Sequence, residues 1–521
     1  MEKKNQKACA VAMSMALAAS SLCIVPDAKA APKTKQIKLN TKKKTLTVGQ
    51  KITLKVKSVK PAKASKKVTW KSSKKSVATV SRKGVVKAKK AGTATITATS
   101  KSNKKVKATC RIKVKKRTTP TVTPTATPTA APTTTPIATP SVTPSATPEP
   151  TPTSAPKYLK EEADFNVGTV VNYEKTQNEQ FTALAKEQFD IVSFENEMKG
   201  YSLMDTEASQ KGDGNPVCDF TQADEMVQWA VDNGLRVRGH VLIWEASMED
   251  SFFHVGYDEE AELVDKDTLL QRMKSYETQV ITHFEEKFPD TVIAWDVINE
   301  AIDAGGEADA TTGLHLYTSG KFYQILGGEY IKYAFQYAKE AVAKTGKNIQ
   351  LFYNDFNCFQ SPKTGYIEEL IDYLNADPNN KLLDCMGMEG YVLTYWPDAS
   401  SVGTAMNKFA KKGVKVGINE LTVRLNPDQS ANKTEVTDAD IAAHAKKYKS
   451  IFTQYCKFNQ KYPNTLTNVS IWGLLDRPDL MDNKEHYDYS IYGTHSGLFT
   501  ADFQPKEAFT NVLNVLRSYR K

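Results

Sequence analysis

Two glutamates stand at the ends of strongly apolar stretches of this sequence. Glu300 closes Ala294-Trp295-Asp296-Val297-Ile298-Asn299-Glu300, and Glu420 closes Val416-Gly417-Ile418-Asn419-Glu420. Such stretches are typical of buried β-strands, and a carboxylate at the end of one contributes little to a core but is well placed to face a cleft. We therefore predict that Glu300 and Glu420 form a catalytic pair.

The elements that position this pair are predicted within residues 157–521. Apolar strand-like runs alternate there with amphipathic, helix-like segments, a pattern that predicts a (β/α)8 TIM barrel in the α/β class. The eight runs are 165–171, 190–196, 236–244, 291–300, 348–357, 385–392, 415–423 and 466–476.

Polar and aromatic residues at the ends of these runs should meet on one face of the barrel. Sugar rings stack on aromatic side chains, and glycosidic cleavage needs one carboxylic acid and one carboxylate, so glycoside hydrolysis fits this set. No phosphate-binding loop, cofactor signature or metal-type spacing competes with it, so we predict no cofactor and no metal. The converging residues are Glu195, Asn196, His240, Trp244, Asn299, Glu300, Asn354, Asp355, Glu420, Trp472 and Asp476.

The first 30 residues have the pattern of a secretory signal peptide. Lys3, Lys4 and Lys7 precede an apolar run over 8–25, and Ala28-Lys29-Ala30 provides small residues for cleavage. A membrane anchor is the weaker alternative, because the run is rich in Ala and Ser and ends at Pro26. We expect a secreted protein with no membrane span after signal cleavage.

Residues 31–117 contain 30 Lys and Arg and no Asp or Glu, so the chain's net charge of +11 conceals an acidic remainder. About seven short alternating strands predict a small β-sandwich. The zone resembles the bacterial Ig-like group 2 domain, so we expect an N-terminal all-β Ig-like sandwich with Trp70 in its core. The residues that carry the resemblance are Thr47-Val48-Gly49, Val68-Thr69-Trp70-Lys71-Ser72-Ser73, Ser76-Val77-Ala78-Thr79-Val80-Ser81, Gly84-Val85-Val86-Lys87-Ala88 and Ala91-Gly92-Thr93-Ala94-Thr95-Ile96-Thr97-Ala98.

The basic charge suggests a polyanionic partner. Nucleic acid does not fit an exported protein without a recognised binding motif, whereas a cell-wall polyanion or an acidic polysaccharide fits the compartment. The alternative is a solvated charged face with no ligand. Residues 118–156, almost entirely Thr, Pro, Ala and Ser, predict an extended linker.

Five cysteines remain after the signal peptide, at positions 110, 218, 358, 385 and 456. Their odd number and irregular spacing indicate buried free thiols, and one disulfide in the C-terminal region is the alternative.

Residues 160–518 resemble glycoside hydrolase family 10, whose members are mostly retaining endo-1,4-β-xylanases on a (β/α)8 barrel. The motifs occur in the family's order, and together they are far more specific than any one of them. They are Glu195-Asn196-Glu197-Met198-Lys199, Arg238-Gly239-His240 with Trp244, Trp295-Asp296-Val297-Ile298-Asn299-Glu300-Ala301, Tyr353-Asn354-Asp355, Asn419-Glu420-Leu421 with Arg424, and Trp472-Gly473.

The resemblance implies separate roles for the site residues. Glu300 would be the acid/base, Glu420 the nucleophile, and Asn299 a partner of the sugar 2-hydroxyl. The remaining substrate contacts would come from Glu195, Asn196 and Lys199 on the glycone side, from His240 and Trp244 around the sugar beside the cleaved bond, from Asn354, and from Trp472 as a stacking wall. For His240 a packing role is the alternative.

The sequence departs from the family pattern around Glu420. Glu389-Gly390-Tyr391 replaces the usual Gln-x-His, and Thr422 replaces an Asp two residues after the nucleophile. We expect Tyr391 to donate its hydroxyl to Glu420, and Glu389 to act as a third carboxylate that raises the pKa of a neighbour, both within the substrate site.

Two further departures lie away from Glu420. Glu245 follows Trp244 where a His is usual, and Leu480-Met481 replaces Trp-Arg.

Three functions remain open from the sequence. The first is a secreted retaining endo-1,4-β-xylanase that cleaves internal bonds of xylan. The second is a related barrel glycosidase acting on another β-glycan, and the third is a catalytically impaired glycan-binding protein.

Overall fold

The computed structural model of the protein describes residues 33–47, 51–61, 63–81, 84–115, 158–425, 436–476 and 495–520. These residues form two compact units, one on each side of the predicted linker. The predicted signal peptide and linker, together with Leu480 and Met481, lie outside the described residues.

The N-terminal unit is an all-β sandwich, as predicted. Its described strands form a four-stranded sheet in the order β2-β9-β8-β5, a three-stranded sheet in the order β3-β7-β6, and the pair β1-β4. The strands are β1 (Gln36–Leu39), β2 (Lys43–Thr47), β3 (Lys51–Thr53), β4 (Val56–Lys60), β5 (Val68–Ser72), β6 (Ala78–Val80), β7 (Val85–Ala88), β8 (Gly92–Ser100) and β9 (Lys107–Lys115).

The sandwich has nine described strands where about seven were expected, and the difference arises at two places. Strand β2 carries four polar residues beside its single Leu46 and gives no alternating signal, and the run over 52–56 is divided between β3 and β4. Inside the sandwich, Ile96, Cys110 and Ile112 are completely buried, and Trp70 is half-buried against this core.

The C-terminal unit is a closed parallel barrel, which confirms the predicted fold. Neighbouring strands run in the order β15-β14-β13-β12-β11-β10-β18-β17, and the pairing of β15 with β17 closes the ring. The short β16 adds to the end of β17. The strands are β10 (Asn166–Val171), β11 (Ile191–Phe194), β12 (Arg236–Ile243), β13 (Val292–Asn299), β14 (Gln350–Phe356), β15 (Cys385–Glu389), β16 (Tyr391–Leu393), β17 (Lys415–Arg424) and β18 (Leu466–Ile471).

Helices surround the barrel and bury one apolar face against it. Both long helices start with side-chain caps: Asp265 accepts the Thr268 N–H at the start of α7, and Thr437 and Asp440 form a capping box on α12. The helices are α1 (Leu159–Glu162), α2 (Tyr173–Thr176), α3 (Glu179–Gln188), α4 (Gly200–Leu203), α5 (Thr206–Lys211), α6 (Thr221–Asp232), α7 (Lys266–Lys287), α8 (Lys321–Leu326), α9 (Tyr330–Thr345), α10 (Lys363–Leu374), α11 (Ala399–Lys411), α12 (Asp438–Lys461) and α13 (Glu507–Tyr519). Short 3₁₀ turns cover Asp250–Phe253, Val255–Tyr257 and Gly327–Glu329.

All five cysteines predicted to be free thiols lie within the described residues and are free; four are buried and Cys218 is half-buried. Among the described helices, none combines the length and the apolar composition that crossing a bilayer requires.

Candidate active site

Asn354 at the end of β14 joins three strand ends. Its Nδ2 lies 2.8 Å from Asn299 Oδ1 on β13, 3.1 Å from Glu389 Oε1 on β15 and 2.9 Å from Glu420 Oε1 on β17. All four side chains are at least nine-tenths buried. The amide therefore fixes the relative positions of the two carboxyl groups and of Asn299.

Glu420 is held on both carboxylate oxygens. Asn354 contacts Oε1, and the Tyr391 hydroxyl donates to Oε2, as the sequence predicted. These two donors hold the carboxylate in place from both sides. The residue two positions later, Thr422, is completely buried and donates its hydroxyl to the Trp472 carbonyl at 2.6 Å. That hydroxyl proton is therefore not available to Glu420, which accepts from Tyr391 instead.

Glu300 is positioned by the backbone. Its N–H donates to the Asn354 carbonyl at 2.9 Å, and its φ of 53° lies in the left-handed region. The next two N–H groups, of Ala301 and Ile302, donate to the Tyr353 hydroxyl at 3.1 and 3.0 Å. This turn gives the Glu300 side chain a direction that the alternation of an extended strand would not give it.

The environment of Glu300 favours its protonated form. Burial, then the negative charges of Asp355 and Glu420, raises its pKa to about 7, although Lys363 and Lys199 oppose the shift. A carboxyl group with such a pKa still holds its proton in weakly acidic solution, as a general acid must.

Asp355 lies beneath this turn in a buried ion pair. Its carboxylate accepts from the Tyr353 hydroxyl and, at 2.6 Å, from Lys363 Nζ. Lys363 begins α10 and was not predicted from the sequence, because nothing in its local pattern distinguishes it from a surface lysine. It supplies the nearby positive charge that balances Asp355.

A second buried ion pair lies lower in the barrel. Asp296 accepts from Arg238 at 2.7 Å and from His240 Nδ1 at 2.9 Å, and it also receives the Asn419 amide at 3.1 Å. Burial alone would raise the pKa of Asp296, but Arg238 and His240 together lower it below its usual value. The carboxylate thus anchors the residue that precedes Glu420.

Gly239, between Arg238 and His240, allows β12 and β13 to approach closely. A Cβ at this position would lie 2.2 Å from the Trp295 ring, so a larger residue would displace that buried indole. The close approach keeps β12, which carries His240, against β13, which leads to Glu300.

The aromatic residues form one continuous group. His240 lies 6.2 Å from Trp244 and 5.8 Å from Trp472, measured between ring centroids. Lys199 Nζ lies 5.0 Å from the centre of the Trp244 ring. Burial lowers the pKa of Lys199, and the charges of Glu420 and Glu195 oppose that shift.

The β11 end supplies the remaining predicted residues. Glu195 Oε2 accepts from Asn172 Nδ2 at 2.8 Å, and Asn196 Oδ1 accepts from the Tyr201 hydroxyl at 2.7 Å. Glu197 accepts the backbone N–H groups of Tyr173 and Asn196, at 3.0 and 3.1 Å, and so holds this loop. Burial raises its pKa to about 7.

The structure brings most of the predicted residues together, and Asp476 is the exception. Asp476 was expected among the converging residues, but its carboxylate accepts from Gly497 N–H at 3.0 Å and Lys506 at 2.9 Å, and so anchors the segment before α13. Glu245 caps the start of α8 by accepting the Lys321 N–H at 3.0 Å. Asn419 and Arg238 lay within the predicted motifs but were not identified as site residues.

Comparison with known proteins agrees with this geometry. The family model "Glycosyl hydrolase family 10" matches residues 157–515, and "Bacterial Ig-like domain (group 2)" matches residues 33–110. The chain is 32% identical over 350 residues to "Endo-1,4-beta-xylanase A" of Thermotoga neapolitana, covering 66% of this chain and 29% of that protein. It is 28% identical over 357 residues to "Endo-1,4-beta-xylanase B" of Butyrivibrio fibrisolvens, covering 68% and 52%. The chain thus spans less than two thirds of either relative.

Solved structures share the barrel. A GH10 structure from Paenibacillus barcinonensis aligns with a TM-score of 0.58 at 24% identity, over 69% of this chain and 97% of that one. An intracellular xylanase from Thermoanaerobacterium saccharolyticum aligns with a TM-score of 0.56 at 27% identity, over 69% and 99%. With the family model covering well over half of the chain and the site residues converging on one barrel face, the chain belongs to glycosyl hydrolase family 10.

Proposed function

We propose that the protein is a secreted, retaining endo-1,4-β-xylanase, with Glu300 as acid/base and Glu420 as nucleophile. The observation that carries the proposal is the different environment of the two carboxyl groups. The pKa of Glu300 is raised to about 7, whereas Glu420 accepts hydrogen bonds on both oxygens from Asn354 and Tyr391. A carboxyl group with a raised pKa suits the acid, and a second carboxyl group fixed by hydrogen bonds beside it suits the nucleophile.

In the first step the Glu420 carboxylate attacks the anomeric carbon and forms a glycosyl ester. The bond to the leaving oxygen breaks, and the Glu300 proton moves to that oxygen. In the second step ionised Glu300 takes a proton from water, whose oxygen attacks the same carbon and releases Glu420. Retention requires the two carboxyl groups to lie about 5 to 5.5 Å apart.

The surrounding side chains are proposed to hold the sugar. Trp244 and Trp472 would stack on it, with His240 between their rings. Asn299, Lys199 and the β11 pair Glu195 and Asn196 would bind hydroxyl groups. The relatives' names specify xylan, and xylan is therefore the substrate we propose.

Reducing-sugar release tests the substrate. Wild-type protein is incubated with xylan, mannan, mixed-linkage glucan and cellulose, and a Glu300→Ala variant serves as the control. Release from xylan by the wild type, lost in the variant, is expected. Release from mannan or glucan alone would favour the second barrel glycosidase, and no release from any polymer would contradict an enzyme. The anomeric configuration of the first product, followed by NMR, tests retention.

We also propose that residues 1–30 are a signal peptide, that 31–117 form the basic Ig-like domain, that 118–156 are a spacer and that 157–521 are the hydrolase domain. The acid-free composition of the Ig-like domain supports retention on a cell-wall polyanion.

Cell-wall sedimentation tests this retention. The full chain should co-sediment with cell-wall preparations at low salt and be released as the ionic strength rises. Binding that does not depend on salt, or none at all, would contradict an electrostatic partner.

A further inference from the structure

Glu389 ends β15 at the centre of the site, and the proposed mechanism gives it no role. Its side chain is 1% exposed. The charges of three carboxyl groups act on it, namely Glu420 on β17, Glu300 directly after β13 and Asp355 on β14. Two cations, Lys363 and Lys199, act on it from α10 and from the loop after β11.

Each of these two cations has a contact with another residue. Lys363 Nζ lies 2.6 Å from Asp355 Oδ1, and Lys199 Nζ lies over the Trp244 ring. Glu389 Oε1 shares the Asn354 amide with Glu420, and Oε2 has no hydrogen-bond partner among the described residues. An ionised carboxylate would therefore leave one buried oxygen without a donor beside a second carboxylate.

We propose that Glu389 is a neutral carboxylic acid in the active enzyme and acts as a positioning residue, keeping Asn354 against Glu420 without adding charge. The proposal rests on the function proposed above. A neutral carboxylic acid has nearly the shape of the Gln that is usual at this position. The Glu at position 389 therefore changes one terminal group of that side chain but not the net charge of the site.

The electrostatic surroundings agree with this geometry. Burial, followed by the charges of Glu420 and Glu300, raises the pKa of Glu389 well above its usual value, and Lys363 opposes the shift only in part. The expectation from sequence was a charged Glu389 that raises the pKa of a neighbour. Here the neighbours act on Glu389, which itself retains the proton.

A pH–rate profile of Glu389→Gln distinguishes the two charge states. If Glu389 is neutral, the alkaline limb of kcat/KM, which follows Glu300, stays within roughly 0.3 pH unit of wild type. If Glu389 is ionised, removing its charge shifts that limb to lower pH by roughly one unit or more, and the proposal is overturned. Asp355→Asn is the positive control, because Asp355 is the strongest single charge acting on Glu300 and its loss should shift the limb downward.

Infrared difference spectroscopy provides a readout that needs no activity. The protonated-carboxyl band of Glu300→Gln is compared at pH 8 with that of Glu300→Gln/Glu389→Gln. Subtraction removes the contribution of Glu277, a second deeply buried carboxyl group on α7. A band that is present only in the single variant supports a neutral Glu389, and identical spectra contradict it. Because this result is independent of substrate, a failure of the xylanase proposal leaves it intact.

Discussion

The two carboxyl groups of the site are supported in different ways. Glu300 is placed through main-chain N–H groups: its own donates to the Asn354 carbonyl, and the next two donate to the Tyr353 hydroxyl. Glu420 is placed by the side chains of Asn354 and Tyr391. Of these contacts, those on the Glu300 side depend on one side chain, that of Tyr353, whereas those of Glu420 depend on two. The departures from the family pattern at Glu389, Tyr391 and Thr422 all fall on the Glu420 side.

The largest effect should follow loss of the proposed nucleophile. In the proposed mechanism Glu420 forms the glycosyl ester, so we expect Glu420→Ala to lower kcat/KM by about 10⁴-fold or more. Measurement on xylan should use Glu286→Gln, an exposed change on α7, as the control for handling and folding. A loss of only tenfold would contradict the proposal that Glu420 is the nucleophile.

Asp296→Asn tests whether Asp296 supports the positions of both Glu300 and Glu420. Asp296 lies on β13, the strand that leads to Glu300, and contacts Asn419, which precedes Glu420. Removing its charge leaves Arg238 buried without its partner, so we expect the free energy of unfolding to fall by about 3–5 kcal/mol. Denaturant titration measures it. Loss of activity with unchanged stability would instead assign Asp296 to chemistry.

Tyr391→Phe tests the side-chain support directly. It removes one of the donors to Glu420 and keeps the ring, so we expect kcat to fall about 10- to 100-fold with KM nearly constant. Tyr462→Phe, at the end of α12, is the matched control. An equal response of both variants would mean that the Tyr391 hydroxyl does not support Glu420.

Glu300→Gln tests the charge state on the other side. Because the folded pKa is raised to about 7, the native state binds more protons than the unfolded chain between pH 4.5 and 7. Wild-type stability should therefore decrease across that range and stay reduced above it. At pH 8 the variant should be more stable than wild type by about 1–3 kcal/mol, and the difference should vanish below pH 4.5. Denaturant titrations at both pH values measure this, and a difference independent of pH would contradict the raised pKa.

The sequence predicted the barrel because its eight buried strands are long apolar runs, and it located Glu300 and Glu420 because each interrupts such a run. It missed β2 of the sandwich, whose lysines obscure any alternation and whose position is set by pairing with β9. It also missed Lys363, which reaches Asp355 from a helix start. Contacts of that kind depend on where separate elements meet, and no local pattern reports them.

The left-handed backbone of Glu300, with φ 53°, has a thermodynamic consequence. For a residue with a Cβ this conformation is typically less favourable by about 1 kcal/mol, whereas glycine adopts it freely. Glu300→Gly should therefore gain stability that Glu300→Ala does not, provided the gain exceeds the added freedom of the unfolded chain. The site would then be a place where selection for catalysis has kept the fold below the stability its architecture permits.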